Sequence, residues 1–354
     1  MKNLLLLLPF FISMELMAQN AKTIHEKAIV IDTHNDVLLN QMKSGADLAK
    51  RLTTGNFDLV RAKEGGLDAQ IFSIWCGDDY GKGTAFALAN RQIDSLYALI
   101  KRNPDKIVLV RNSEDLKKVV SQKKLAALIG VEGGHMIEDS LTYVDSLAKR
   151  GMCYLTLTWN NSTSWSTSAY DETFKRDSLT HFGLNELGRK IVHRLNELGV
   201  MVDVSHVGER TFADVLATTT KPVIASHSSV YNLAPHQRNL KDEQLKAIAK
   251  NNGVVFVNFY SGFLDPTYKE ATPVRPPLSL LIKHIDYMVK LIGADHVGIG
   301  ADFEGAESYP LEMDGVHDYP KITAALLKLN YSTKDINKIM GGNLLRVLKA
   351  NTGK

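Results

Sequence analysis

The stretch AIVIDTHND at residues 28–36 decides the fold of this chain. It begins as a largely apolar run rich in β-branched side chains, which is typical of a strand covered on both faces. His34 and Asp36 end the stretch, and alternate residues leaving a strand point the same way, so both side chains are expected to face one point. An imidazole and a carboxylate placed together in this way suit a metal ion.

Seven further runs of the same kind follow along the chain. Between several of these runs, apolar residues recur at helical spacing. The leucine and isoleucine positions of 184–198, followed by Gly199, are one example. Eight strands alternating with helices predict an α/β fold of the (β/α)8 TIM barrel type. An open doubly wound sheet is the alternative, but its single crevice would not easily gather ligands from many strands. The predicted strands lie near 28–33, 67–75, 125–131, 153–158, 200–205, 222–226, 253–259 and 296–301.

Two connections and the C-terminal tail add to this core. Residues 37–66 and 159–183 form long connections, which are expected at the rim of the barrel as substrate walls or lids. The tail from Thr333 onward, interrupted by Gly341 and Gly342, is expected to add helices outside the barrel. No linker divides the chain, so residues 19–354 are predicted to form one domain.

The predicted rim collects four more potential ligands. Glu132, His206, His227 and Asp302 each lie at or just past the end of a predicted strand. Parallel barrel strands bring their carboxyl ends to one face, where barrel enzymes hold their chemistry. Each residue alone has a plainer explanation, such as a packed histidine or a salt bridge at the rim. Together they suit zinc or another divalent first-row metal and indicate a metal-dependent hydrolase.

Two of the acids admit specific roles. Glu132 precedes two glycines, where backbone can approach closely, and its two oxygens could bridge two ions. Asp302 could contact a metal or take a proton from the attacking water, and the sequence does not separate these roles. Two ions roughly 3.5–4 Å apart would hold a hydroxide and polarise the carbonyl under attack.

The net charge and the first 18 residues indicate which partners and which compartment to expect. Its formal charge of +3 comes from 42 basic and 39 acidic residues that are well mixed, which argues against nucleic-acid binding. Residues 1–18 combine a charged start, a short apolar core and a small-residue cleavage point, so a cleaved export signal is predicted. An uncleaved anchor or a buried first helix is the alternative. The mature protein is expected to be periplasmic or secreted, with no stable membrane insertion.

Cys76 and Cys153 are predicted to be free thiols, although an exported protein could form a disulfide. One follows the end of a predicted strand and the other stands at the start of one. In parallel barrel strands their sulfurs would lie at opposite ends, beyond the ~7 Å Cα separation that a bridge allows. No nucleophile motif surrounds either residue.

The motifs at the strand ends resemble those of the membrane or renal-type dipeptidases, zinc dipeptidases of the amidohydrolase-like barrel superfamily. The resemblance runs from about Ile29 to Arg346. Its most specific pieces are IDTHND at 31–36, GVEGG at 130–134, VDVSH at 202–206, ASHSS at 225–229 and GIGADF at 298–303. The resemblance implies a centre of two Zn²⁺ per chain, with one ion on His34 and Asp36, the other on His206 and His227, and Glu132 bridging them.

The resemblance also implies two residues that act on the substrate. Asp302 would correspond to the acid that handles the proton of the bridging hydroxide. Arg238 aligns with the arginine that holds the C-terminal carboxylate of the substrate, a role that suits a guanidinium fork. Taken alone, Arg238 would be expected at the surface.

One position departs from the family pattern. Where the family's dipeptidases commonly have a histidine that stabilises the oxyanion, this chain has Trp159, followed by Asn160. An indole N–H donates one hydrogen bond but cannot carry a charge or shuttle a proton. Asn160 could supply an amide donor instead, and both residues are therefore candidate substrate contacts.

Three functions follow from these patterns. The first is an exported zinc dipeptidase, with a dipeptide as its partner and with tolerance of a D residue at the second position, as the resemblance implies. The second keeps the metals but acts on another amide, lactam or lactone, because of Trp159 and the long connection at 159–183. The third is a non-catalytic binding protein on a retained barrel, against which the complete ligand set argues. A homodimer is a further expectation.

Overall fold

Parallel strands form a barrel in the computed structural model, which describes residues 19–354. Eight of them follow one another around the barrel in chain order, and a ninth pairs beside the path. A parallel bridge between Asn35 and Phe303 brings the last strand back to the first, which confirms the predicted (β/α)8 barrel. The strands are β1 (Val30–Asn35), β2 (Leu67–Ile74), β3 (Ile107–Leu109), β4 (Leu125–Glu132), β5 (Met152–Thr156), β6 (Met201–Asp203), β7 (Ile224–Ala225), β8 (Val254–Val257) and β9 (Val297–Ile299).

Helices follow most of the barrel strands, after a helical segment at residues 19–27. Their sequences place apolar residues on one face, and that face packs on the strands. The helices are α1 (Val37–Ser44), α2 (Leu59–Glu64), α3 (Ala85–Arg102), α4 (Ser113–Ser121), α5 (Leu141–Lys149), α6 (Ala169–Phe174), α7 (Glu186–Leu198), α8 (Glu209–Thr218), α9 (Asp242–Lys250), α10 (Ser261–Leu264), α11 (Leu278–Ile292), α12 (Tyr319–Lys328), α13 (Thr333–Asn337) and α14 (Asn343–Thr352).

The strand β3 is absent from the sequence-based prediction. It has three residues and pairs with the first half of β4, while β5 pairs with the second half. A run this short gives little periodic signal. Since β3 stands outside the barrel path, it contributes no residue to the rim.

The C-terminal tail forms helices, as predicted, but its last helix is part of the core. Side chains of α14 belong to one buried cluster with the inward-facing residues of the barrel strands. The chain before α14 passes close to Ile29 and Ile31, at the start of β1. The helix therefore packs across the amino end of the barrel, opposite the rim that carries the predicted ligands. Its contributing residues are Leu344, Leu345, Val347 and Leu348.

The two long connections at the rim contain short helices. Residues 37–66 include α1 and α2, and residues 159–183 include α6 and a 3-10 turn at Arg176–Ser178. In residues 19–354 no helix is long and apolar enough to cross a membrane. The predicted export signal, residues 1–18, lies outside the described residues.

The two cysteines are free and buried, as predicted. Burial raises the pKa of the Cys76 thiol to about 12, and burial does the same for Cys153. Because the thiolate is the reactive form, both thiols are inert at neutral pH.

The packing of α14 predicts a large effect of truncating Leu344, which is fully buried in the inner cluster. Leu344→Ala should lower the free energy of unfolding by about 2–5 kcal/mol, because it removes buried apolar surface and leaves a cavity. Urea unfolding followed by circular dichroism measures the change. Leu329→Ala is the matched control, since Leu329 is 48% exposed, and it should change stability by no more than about 0.5 kcal/mol. Equal effects of the two variants would contradict the placement of α14.

Candidate metal centre

Five of the predicted ligands come from four barrel strands or the turns that follow them. His34 lies in β1, and Glu132 is the last residue of β4. His206 and His227 follow β6 and β7 by three and two residues. Asp36 follows β1 directly. The closed barrel brings these ends to one rim, and all five side chains are buried there.

The three imidazoles converge on the carboxylate of Glu132. The Nε2 atoms of His206 and His227 lie 2.9 and 3.3 Å from Glu132 Oε1. On the other side, His34 Nε2 lies 3.4 Å from Glu132 Oε2. The two oxygens of this carboxylate thus face different histidines, which is the arrangement that a bridging carboxylate requires.

Two more carboxylates approach from the other side of His34. Its Nε2 atom lies 3.6 Å from Asp36 Oδ1 and 3.8 Å from Asp302 Oδ1. Asp36 occupies the N-cap position of α1, yet its side chain makes no capping hydrogen bond and faces the site instead. A Cβ on Gly305 would overlap carboxylate oxygens of both Asp36 and Asp302, so only glycine allows this approach. The sequence analysis did not single out Gly305.

Each imidazole donates its Nδ1 hydrogen to a neighbouring side chain. His34 Nδ1 lies 2.7 Å from the hydroxyl of Tyr154, whose own proton goes to the Thr33 carbonyl. His227 Nδ1 lies 2.8 Å from Ser226 Oγ, which donates to a buried aspartate. Because each hydroxyl has another acceptor for its proton, we assign the imidazoles as the donors.

For His206 the partner of Nδ1 is the amide oxygen of Asn160, at 3.2 Å. An amide oxygen only accepts, so this imidazole also donates from Nδ1. In the neutral form of each imidazole, which is the form that binds a metal ion, the Nε2 lone pair then faces the centre. The Nε2 atoms of His206 and His227 are only 3.0 Å apart, with no hydrogen between them in these tautomers.

These atoms fit a metal ion. His34 Nε2 and Asp36 Oδ1 are buried and have no hydrogen-bond partner among the described residues. Unpartnered buried polar atoms are costly, and lone pairs facing one another and a carboxylate repel unless a cation lies between them. Two sets of three ligand atoms meet here, His34 with Glu132 and His227, and His34 with Asp36 and Asp302.

The electrostatics of the site favour a positive charge at its centre. Burial alone would lower the pKa of His34, but the negative charges of Glu132 and Asp36 raise it well above its usual value. Burial lowers the pKa of His206 to about 4 and that of His227 well below its usual value, so both stay neutral. Burial, together with the charges of Asp36 and Glu132, raises the pKa of Asp302 to about 7.

Two residues of the site have a left-handed backbone. His206 has φ +66° and Asp302 has φ +62°, a conformation that costs a non-glycine residue about 1–3 kcal/mol. Such strain persists only where surrounding contacts hold it. At Asp302, the backbone N–H donates to the His34 carbonyl at 3.0 Å, and Asn258 Nδ2 donates to the carboxylate at 2.9 Å.

Two buried aspartates connect neighbouring strand ends at the rim through hydrogen bonds. Asp203 accepts hydrogen bonds from the hydroxyls of Thr156 and Ser226 at 2.6 Å each, and thereby joins β5, β6 and β7. Asp32 accepts from the Tyr319 hydroxyl at 2.6 Å and from the Ala301 backbone at 2.9 Å. The sequence analysis missed this role. The sequence does contain a signal for this role. Asp32 comes two residues before His34 in IDTH, and Asp203 comes three residues before His206 in VDVSH.

Arg238 is buried near His227, contrary to what an isolated arginine would suggest. Its Nη2 donates to the His227 carbonyl at 3.3 Å, and its guanidinium lies over the ring of Phe263 at 5.5 Å. Burial lowers its pKa to about 10, which leaves it charged at neutral pH. Among the residues described, no carboxylate lies within 4.0 Å of it. The buried charge is thus available to an anionic ligand.

Trp159 and Asn160 line the same rim. The Trp159 ring packs edge-on against Trp75 at 5.2 Å and lies 6.5 Å from the His206 ring. The Asn160 oxygen is engaged with His206, so only its Nδ2 group can face a ligand as a donor. Both residues are half-buried beside the metal-type ligands.

Comparison with known proteins gives a consistent result. A family model described as membrane dipeptidase, Peptidase family M19, matches residues 18–353. An uncharacterized dipeptidase of Schizosaccharomyces pombe is 33% identical over 95% of this chain and 83% of its own length.

Two solved structures are similar over nearly their whole length. A metallopeptidase from Rhodobacter sphaeroides, liganded with a phosphinate mimic of the dipeptide L-Ala-D-Ala, is 25% identical, with a TM-score of 0.82 over 92% of this chain and 100% of its own. An amidohydrolase from Pseudomonas aeruginosa is 27% identical, with a TM-score of 0.79 over 94% and 99%.

The hydrogen bond between Tyr154 and His34 predicts a loss of metal affinity in Tyr154→Phe. Without the hydroxyl, His34 loses the acceptor that fixes its tautomer, and affinity for Zn²⁺ should fall by roughly tenfold to a hundredfold. Competition with a chromogenic chelator measures this affinity. Tyr97→Phe is the matched control, because the Tyr97 hydroxyl bonds to the Arg150 carbonyl away from the site. Unchanged Zn²⁺ affinity in Tyr154→Phe would show that this hydroxyl does not orient a ligand.

Proposed function

Because the chain belongs to the membrane dipeptidase family, Peptidase family M19, a family of metallo-dipeptidases, we propose that it is an exported dipeptidase with two zinc ions. It hydrolyses the peptide bond of dipeptides. The observation that carries this proposal is the convergence of three imidazole Nε2 atoms on the two oxygens of Glu132. When bound, the zinc ions would polarise the scissile carbonyl and lower the pKa of a water molecule.

The ligand set divides into two groups around Glu132. His34 and Asp36 would hold one ion, and His206 and His227 the other. Glu132 would serve both, since its Oε2 faces His34 and its Oε1 faces the other two histidines. The neutral tautomers fixed through Nδ1 present the lone pairs that zinc requires.

Arg238 would bind the C-terminal carboxylate of the dipeptide. It is a buried guanidinium without an anionic partner in the described structure, and it can pair with a carboxylate through two parallel hydrogen bonds. The R. sphaeroides relative that carries a mimic of L-Ala-D-Ala supports a D residue at the second position. Trp159 and the Nδ2 group of Asn160 would contact the substrate beside His206.

Asp302 would handle the proton of the attacking water. Its Oδ1 faces the ligands while Asn258 holds its Oδ2, so one oxygen is free for proton transfer. A carboxylate with one free oxygen can accept a proton and return it in a later step. It would take a proton from water and deliver it to the leaving amine.

The proposal includes export and domain organisation. Residues 1–18 would be removed as a signal peptide, and residues 19–354 would form one domain in the periplasm or outside the cell. The N-terminal sequence of the protein recovered from its compartment tests this part of the proposal. A homodimer stays a prediction.

The activity is tested by amino-acid release from L,L and L,D dipeptides. We expect the zinc-loaded protein to release both amino acids, with Glu132→Gln as the metal-site control. Glu132→Gln should lose metal and activity together, because it replaces the shared carboxylate with a neutral amide. Metal content is measured on the same samples. No release from protein that holds two zinc ions would contradict the dipeptidase proposal.

Asp302→Asn separates proton transfer from metal binding. The amide keeps the size of the side chain but cannot accept a proton, so turnover should fall by roughly a hundredfold to ten-thousandfold with metal content unchanged. Steady-state kinetics beside metal analysis give both quantities. Wild-type turnover in this variant would exclude Asp302 as the proton carrier.

A second candidate function follows from Trp159, which packs against Trp75 where the family commonly has a histidine. The site would then act on another amide, a lactam or a lactone, and one similar structure is described as an amidohydrolase. Substrates without a free carboxylate distinguish the two functions. Their hydrolysis at equal rates by the wild type and Arg238→Ala would favour the second.

A further inference from the structure

A cavity of about 390 Å³ opens beside His206 and Arg238. Three connections at the rim form its walls: the one that carries α6, the turn between β6 and α8, and the one that precedes α9. We call it the second-residue cavity. Its volume lies in the range of cavities that bind small molecules, and it holds more than the carboxylate that Arg238 would bind.

The proposed binding of a dipeptide to Arg238 would bring the second residue of that dipeptide close to this cavity. If Arg238 holds the C-terminal carboxylate, the side chain on the neighbouring carbon atom lies within reach of the space beyond it. The cavity shares both His206 and Arg238 with the candidate metal centre. A dipeptide bound there would therefore direct its second side chain toward the cavity.

Glu172, from α6, brings a carboxylate to the wall of this cavity. Its Oε2 atom is buried and has no hydrogen-bond partner in the described structure. It lies against the backbone of Gly208, two residues after His206, where a Cβ would overlap it. Burial raises the pKa of Glu172, and the backbone N–H of Arg210 offsets part of this effect.

The other charged side chains of the cavity do not neutralise Glu172. Lys241 pairs with Glu209 at 2.5 Å, so its charge is compensated. Arg176 is exposed and its guanidinium lies over the ring of Phe182 at 4.9 Å, where water screens its charge. In residues 19–354, no side-chain nitrogen of a lysine, arginine or histidine lies within 4.0 Å of the Glu172 carboxylate.

We propose that the second-residue cavity binds the side chain of the second residue of the dipeptide, and that Glu172 selects a side chain that ends in a cation, as in lysine or arginine. This inference rests on the proposed function. A long aliphatic chain would cross the cavity from Arg238, and its cationic end would supply the partner that Glu172 lacks. A neutral chain of equal length would leave the carboxylate unpaired.

The test compares two substrates of similar shape, alanyl-lysine and alanyl-Nε-acetyllysine, each with an L or a D second residue. We expect kcat/KM of the wild type to favour lysine by about tenfold, the size of a charge-assisted hydrogen bond. In Glu172→Gln this preference should fall to near unity, because kcat/KM for alanyl-lysine falls toward the value for alanyl-Nε-acetyllysine. Glu186→Gln is the matched control, since Glu186 is an exposed carboxylate on α7 that is paired with Lys190.

Charge reversal gives an independent test. Glu172→Lys should turn the preference toward alanyl-glutamate. An equal rate on lysine and acetyllysine in the wild type would overturn the inference, as would a preference that Glu172→Gln retains. A preference for lysyl-alanine over alanyl-lysine would place the cation at the first residue and also overturn it. If no dipeptide is hydrolysed, alanyl-leucine included, the proposed function itself fails, whereas hydrolysis without charge preference removes only this inference.

Discussion

The repulsion among acceptor atoms around Glu132 is the constraint on which the rest of the site depends. Three Nε2 lone pairs and two carboxylate oxygens meet in a space from which water is largely excluded. A cation at the centre would relieve this repulsion, and the raised pKa of His34 shows that the nearby carboxylates favour a positive charge there. The barrel fold makes this convergence possible, because its packed strands fix the directions of these side chains.

Two buried aspartates also hold the ligand side chains in place at the rim. Asp203 and Asp32 each tie one strand end to its neighbours through short hydrogen bonds, and each lies within three residues of a ligand. These contacts offset the left-handed backbone of His206 and Asp302. The strained residues thereby turn their side chains toward the centre. Metal affinity in this site is therefore a property of the hydrogen-bonded rim as much as of the ligand atoms.

The barrel and the positions of the candidate ligands could be predicted from sequence periodicity, because both depend on local strand geometry. A residue at the carboxyl end of a buried parallel strand has a fixed direction, so His34, Glu132 and Asp302 could be placed without knowing their neighbours. Other features depend on contacts between distant segments. The burial of Arg238 against Phe263 and the hydrogen bond from His206 to Asn160 are examples. The pairing of β3 and the packing of α14 across the barrel end depend on tertiary structure in the same way.

The replacement of a histidine by Trp159 changes how protons can move in the proposed reaction. The indole cannot carry a proton, and burial keeps His206 and His227 neutral at physiological pH. Arg238 stays charged because its pKa of about 10 is far above neutrality. Asp302 is the remaining acid at this rim, and its Oδ1 faces the predicted ligands while Asn258 holds its Oδ2. The same carboxyl would therefore take the proton from water and deliver it to the leaving amine, so the two proton transfers would occur in sequence through one oxygen atom.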